Sequence, residues 1–191
     1  MPTGRASRTR KAFRLVELTQ HVARGDKNCL AELYDLTSPC VYGAALQLLR
    51  SSRLATVVTE EVYVDVWRSA PRYNPSESSV LAWMMGLTHR RSTDKVEALA
   101  ARSASEWYAD VDGNGHHVAS PSDGGSRPDV ERARRALSTL TDPYRQAFVL
   151  AYFGECSQGE VARILGLPLG KVTTRIRNGL VGLRNELAVG T

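Results

Sequence analysis

The sequence predicts an all-α protein built from two small helical domains joined by a flexible linker. Three observations lead there. Apolar residues recur at spacings of three and four through residues 12–97 and again through 129–188, the period of helices that bury one face. No segment alternates apolar and polar residues as a half-buried strand does. Between the periodic stretches, residues 100–127 are rich in Ser, Gly, Asp and Ala, a composition that buries too little apolar surface to offset chain entropy. The expected organisation is a basic disordered tail over 1–11, a helical domain over 12–99, a linker over 100–128 and a second helical domain over 129–191.

Each element has its own signal. Leu15, Leu18 and Val22 predict a short first helix that Gly25-Asp26 ends. Leu30, Leu33, Tyr34, Val41, Ala45, Leu48 and Leu49 carry a second helical stretch, which Pro39 is expected to kink or divide. A third helix is expected from about Leu54 to Ala70, with Val58, Val62, Val66, Tyr63, Trp67 and Ala70 on a broad apolar face. Pro71 and Asn74-Pro75 close it and open a polar loop. A fourth helix runs from about Val80 to Ala98, apolar at Trp83, Met84 and Leu87 and charged at its end. Trp107 and Tyr108 are the two aromatic exceptions in the linker, fit either to dock a turn or to extend the preceding domain. In the second domain, Val130, Ala133, Leu137 and Leu140 restore the period, followed by Phe148, Val149 and Tyr152. Thr141-Asp142-Pro143 is a helix start, a capping residue just before a proline that fits the first turn.

Composition narrows the function. The chain has 191 residues, a formal charge of +5 and a sequence pI near 9.3, which favours a polyanionic partner. Cys29, Cys40 and Cys156 stand far apart, odd in number and without a metal-ligand pattern, as expected of buried thiols in a reducing cytoplasm. No apolar run is long enough to span a bilayer, and no apolar stretch with a cleavage site follows the basic start. His116-His117 lacks a glutamate at zincin spacing, no Gly-rich phosphate loop occurs, and the adjacent Glu60-Glu61 pair cannot face one substrate. The expectation is a cytoplasmic protein that is not an enzyme, with no cofactor, metal or small-molecule substrate.

Residues 157–187 predict a DNA-binding helix-turn-helix. Ser157 and Glu160 have capping-box spacing, and Val161, Ala162, Ile164 and Leu165 form the inward side of a short helix. Gly166 can supply a left-handed turn and Pro168 can open the next helix, from about Leu169 to Leu187. On that helix Val172, Ile176, Leu180, Leu183 and Leu187 are expected to pack inward. Lys171, Thr174, Arg175 and Asn178 share another face, expected to be exposed. Arg and Lys pair with phosphates or guanine edges, Asn bonds adenine, and Thr meets a thymine methyl.

Together these residues resemble the extracytoplasmic-function (group 4) sigma factors of bacterial RNA polymerase, over about 13–97 and 129–188. Leu137-Ser-Thr-Leu140, Tyr144-Arg145, Leu150-Ala-Tyr152, Gly154, Ser157, Glu160-Val-Ala162, Leu165-Gly-Leu-Pro168, Val172, Arg175 and Leu183-Arg184 are similar to the family's domain 4. Thr59-Glu-Glu-Val-Tyr-Val-Asp-Val-Trp67 resembles the segment of domain 2 that grips the polymerase clamp. Ala82-Trp-Met-Met-Gly-Leu-Thr-His-Arg-Arg-Ser-Thr-Asp94 resembles its promoter −10 region, and Ala82-Trp83 with His89-Arg90-Arg91 is similar to a sigma-K-like actinobacterial subgroup.

The resemblance implies three sets of site residues. Lys171, Thr173, Thr174, Arg175, Arg177 and Asn178 would meet the −35 element. Arg72, Tyr73, Asn74, Trp83, His89, Arg90, Arg91 and Lys95 would meet the −10 element, where the loop 72–79 captures a flipped base. Glu60, Glu61, Asp65, Trp67 and Arg68 would meet core polymerase, with Tyr63 and Trp67 read first as core aromatics. The implied partners are the clamp and flap of the β′ and β subunits, promoter DNA and an anti-sigma factor, often membrane-bound.

The chain departs from the family pattern in three places. Leu54-Ala-Thr-Val57 replaces an acidic cluster, Thr173 stands where a basic residue is common with Lys171 just before the valine, and Glu97 stands where arginine is common. Phosphate on Thr56 or Thr59 would restore negative charge beside the missing cluster. A reading from another class is a helix-turn-helix regulator whose N-terminal module senses a signal or dimerises.

Overall fold

The computed structural model describes residues 3–102, 136–137 and 139–189, with side chains over 9–101, 136–137 and 139–186. Among the described residues there are seven α-helices and no strand. In chain order they are α1 (Thr3–Val22), α2 (Lys27–Leu49), α3 (Ser52–Ser69), α4 (Val80–Arg102), α5 (Asp142–Phe153), α6 (Gln158–Leu165) and α7 (Leu169–Val189), with one 3₁₀ turn, Ala70–Arg72, after α3. Val130, Ala133, Trp107, Tyr108 and nearly all of the expected linker lie outside the described residues. Helix α4 itself continues to Arg102, past the expected boundary at 99/100.

The helix ends follow local chemistry. Gly25, at φ +88, ends α1 in a conformation that side chains with a Cβ resist. Asp26 then caps α2, its Oδ1 accepting the N–H groups of Asn28 at 2.9 Å and Cys29 at 3.1 Å. Arg50 ends α2 in the left-handed region, and the Ser51 hydroxyl caps α3 by accepting the Leu54 N–H.

One expectation is corrected here and another is narrowed. The segment expected as a disordered tail is helical from Thr3 onward. Arg5, Ala6, Arg8, Arg10 and Lys11 are strong helix formers, and a helix anchored by buried Leu15, Leu18 and Val22 propagates back through them cheaply. Pro39 does not divide α2, which is a single 23-residue helix. Buried Leu33 and Thr37 on one side of the proline and Val41, Ala44, Ala45 and Leu49 on the other fix the helix by packing. That outweighs the loss of one backbone hydrogen bond.

Helices α1–α4 enclose a core of Leu18, Leu33, Val41, Leu49, Val58, Val62, Val66, Met84 and Met85. Four buried threonines satisfy themselves within their own helices: Thr19, Thr37, Thr59 and Thr88 donate to the carbonyls of Leu15, Leu33, Ala55 and Met84. Tyr63 is a core aromatic, its hydroxyl 2.7 Å from Thr37 Oγ1.

The C-terminal helices pack against the first module. Ala147, Val149, Leu150, Cys156, Val161 and Val172 belong to the same buried cluster as the first module. Helix α5 packs on α2 and α6 on α4. Two glycines permit the approach. A Cβ on Gly43 would lie 2.7 Å from the Phe153 ring, and one on Gly154 would overlap Met85 Cγ. A smaller cluster of Ala136, Leu137, Leu140 and Leu183 completes the C-terminal module.

Candidate nucleic-acid interface

The helix-turn-helix is built as the sequence predicts at its caps and turn. The Ser157 hydroxyl accepts the Glu160 N–H at 3.3 Å, while Glu160 Oε2 accepts the Ser157 N–H at 2.8 Å. Gly166 turns the chain at φ +62, and the Pro168 carbonyl accepts the Lys171 and Val172 N–H groups as α7 begins. Fully buried Val161 and Val172 pin the two helices together.

That pinning presents one side of α7 to solvent. Lys171, Thr174, Arg177 and Asn178 are exposed, whereas Arg175 is half-buried rather than open as expected. Thr173 is exposed too, but its hydroxyl bonds Gln158 Oε1 at 2.8 Å and the Leu169 carbonyl at 3.0 Å. It ties α7 to α6 and so orients the exposed side of α7. The inward stripe differs from the expectation in one residue: Leu180 is 53% exposed, beside Val181 at 42%. Gly179 and Gly182 take its place, facing Tyr144 and Leu140 on the α5 side. Residues without side chains are invisible to apolar periodicity, so the stripe Val172–Ile176–Gly179–Leu183 could not be read as one. Tyr152, counted as periodic, is likewise 67% exposed. The side chain of Leu187 lies outside the described residues.

The second surface gathers around the loop after α3. Tyr73 and Trp83 hold their rings 5.0 Å apart at 38°, and Tyr73 donates its hydroxyl to the Ser78 carbonyl at 2.9 Å. Burial, with the nearby charge of Glu160, pushes the Tyr73 phenol up to about 12. Asn74 braces the loop from inside, its Oδ1 accepting from Ser76 N–H and Oγ and its Nδ2 donating to Glu77. Arg72 and Asn74 are exposed on its rim. The aromatic pair and braced loop form a shelf on which an unstacked base can rest.

Helix α4 divides its basic residues. Arg90 is exposed, while Arg91 donates two bonds of 2.6 Å to the Asp65 carboxylate and Lys95 reaches Glu61 at 3.2 Å. Two expected DNA contacts therefore neutralise two expected polymerase contacts. Periodicity places α3 and α4 on one core but gives no register between them, so the pairing was not readable. The Arg91 guanidinium holds the Asp65 carboxyl below its usual range, against a smaller opposing effect of burial. Burial lowers the pKa of His89, so its imidazole favours the neutral form. Glu60 and Arg68 remain exposed and Trp67 is half-buried against the core.

Where the acidic cluster is missing, Leu54 and Ala55 are buried. Thr59 is 5% exposed and its hydroxyl bonds the Ala55 carbonyl, so a phosphate there would have to be buried beside the core. Thr56 is exposed.

The comparisons with known proteins agree with this geometry. Residues 33–102 match the family model for Sigma-70 region 2, and residues 131–181 match that for Sigma-70, region 4. The ECF RNA polymerase sigma factor SigK of Mycobacterium ulcerans is 36% identical over 173 residues, 89% of this chain and 91% of that protein. SigK of Mycolicibacterium vanbaalenii is 36% identical, over 90% of this chain and 88% of its own length. Among solved structures, CnrH in complex with the cytosolic domain of CnrY shares the fold at a TM-score of 0.62 and 19% identity, covering 93% of this chain and 99% of that one. The sigma factor RpoE from Bartonella quintana, in complex with the anti-sigma factor NepR, does so at 0.63 and 19%, covering 84% and 98%. Two sigma modules in this order, with SigK-type relatives along most of their length, place the chain in the extracytoplasmic-function sigma factor family, as an alternative sigma factor of RNA polymerase.

Proposed function

We propose that the exposed face of α7 reads the −35 element while the Tyr73–Trp83 shelf and Arg90 engage the −10 element, on a factor that acts in the cytoplasm and performs no chemistry itself. The observation that carries this is the pairing, in one chain, of an exposed Lys171–Thr174–Arg177–Asn178 face with a braced aromatic loop. Lys171 and Arg177 suit phosphates or guanine edges, and Asn178 suits adenine. Glu60 and Arg68 are exposed charges on α3 suited to the polymerase clamp, and apolar Leu180 and Val181 offer a surface for the flap.

The packed arrangement is a resting state. Elements centred about 25 base pairs apart are separated by on the order of 80 Å of duplex at 3.4 Å per step. Glu160 at the start of the helix-turn-helix touches Ser79 beside the −10 loop, so both elements cannot be met until the modules part. An anti-sigma factor that holds them together would keep the protein silent, a role supported by the partners named for CnrH and RpoE.

The test is reconstitution. Purified protein added to core polymerase should direct run-off transcription from a promoter with cognate −35 and −10 elements. Tight binding to duplex DNA without ever joining polymerase would instead support the helix-turn-helix regulator.

A further inference from the structure

The joint between α1 and α2 brings together three side chains that the sigma activity leaves unused. His21 lies in the last turn of α1, Asp26 is the N-cap of α2, and Cys29 sits in the first turn of α2. A ring nitrogen of His21, a carboxylate oxygen of Asp26 and the Cys29 sulfur all lie within 4.8 Å of one another. We propose that this triad binds a borderline-soft divalent cation of the zinc type and thereby clamps α1 to α2.

Several observations carry the proposal. The donor set is imidazole, thiolate and carboxylate, the mixture that zinc accepts, with the fourth position left to water. Cys29 Sγ donates its proton to Asp26 Oδ2 at 3.3 Å. With zinc–sulfur and zinc–oxygen bonds of about 2.3 and 2.0 Å, that separation subtends an angle of about 100° at the metal, near tetrahedral. The cation would replace the thiol proton, which leaves to solvent, and bridge the same two atoms. Tetrahedral zinc sets such donors about 3.3–3.6 Å apart, so the His21 ring must close by up to about 1.5 Å, a movement within reach of rotation about its side-chain bonds.

Asp26 is already divided for the task. Its Oδ1 accepts the Asn28 and Cys29 N–H groups that cap α2, which fixes the carboxylate and leaves Oδ2 directed at the thiol. The C-terminal end of α1 favours a cation, while burial and the neighbouring Asp26 carboxylate raise the Cys29 thiol above its ordinary range, so the metal itself must displace its proton. The Gly25 turn and the Arg14–Glu32 ion pair, at 2.6 Å, hold the two helices in register. The spacing His21, Asp26, Cys29 matches no familiar metal motif in sequence; the reversal of the chain makes it one.

The test is titration of the reduced full-length protein with Co2+ and then Zn2+. One equivalent of Co2+ should give a thiolate-to-cobalt charge-transfer band in the near ultraviolet, bleached by Zn2+, and Zn2+ should raise the melting temperature. C29S should abolish the band, and both C29S and H21A should weaken Zn2+ binding at least tenfold in competition with a chromophoric chelator. C40S and the double change H116A/H117A should leave both readouts unchanged. Circular dichroism of C29S and H21A without metal should match the parent, which separates lost binding from lost folding. No charge-transfer band, or equal Zn2+ affinity in C29S, would overturn the proposal.

Discussion

Glu160 and Ser79 join the two modules across 81 residues of sequence: Glu160 Oε1 accepts the Ser79 N–H at 3.0 Å. The same carboxylate, through Oε2, completes the capping box with Ser157. Burial raises the Glu160 pKa, but the N–H groups of Ser79 and Ser157 together outweigh it and leave the group lowered and ionised. One residue thus starts the helix-turn-helix and fastens it beside the loop that follows α3.

E160A should therefore act twice. Loss of the cap and of the inter-module bond should cost about 1–3 kcal/mol of stability. E160Q, which can still cap, should lose less. Small-angle scattering should show a larger radius of gyration for E160A if the bond helps hold the modules closed. An unchanged radius would mean that the apolar contact alone holds them.

G43A tests that apolar contact without altering any charged group. The new methyl meets Phe153, which must move, at a cost of about 1–3 kcal/mol. The expected result is a lower melting temperature, faster proteolysis between the modules, and retained promoter recognition once polymerase is bound.

Arg90 and Arg91 should separate cleanly. R91A strips the Asp65 carboxylate of its partner and should destabilise the protein by about 2 kcal/mol. R90A, on an exposed side chain, should change stability by less than about 0.5 kcal/mol while slowing promoter melting in permanganate footprinting. Equal stability losses in chemical denaturation would contradict this division.

On α7, K171A and N178A should differ in kind. K171A in holoenzyme should reduce the slope of log affinity against log salt by about 0.9 if Lys171 meets a phosphate. N178A should leave that slope unchanged. It should cost about 1–3 kcal/mol on the preferred −35 sequence and relax selection at one position.

His89 gives a pH dependence whose sign is set by burial. Its folded pKa is lowered, so the unfolded chain takes up the proton first as pH falls below the ordinary value of 6.5. This contribution is complete above that value and is lost toward acid, at up to about 1.4 kcal/mol per pH unit. H89Q should flatten the fall in melting temperature between pH 7.5 and 5.5.

The sequence by itself determined what repeats or is local. Helical period identified α1–α4 and the helix-turn-helix, and the Ser157–Glu160 box, Gly166 and Pro168 fixed where its helices start and turn. It misjudged the early tail and left open a division at Pro39 that does not occur, because packing carried a helix through both places. It also chose Leu180 over Gly179 and Gly182, because glycine adds nothing to an apolar pattern yet admits the closest helix contact.

Only the tertiary structure decided which charges are free and which are spent, as with Arg90 against Arg91, and that the modules share a core through Gly43 and Gly154. The physical reason is range. Propensity and capping act over three or four residues, whereas Asp65–Arg91, Ser79–Glu160 and His21–Cys29 depend on how whole helices or chain reversals align, and one chain carries no statement of that register.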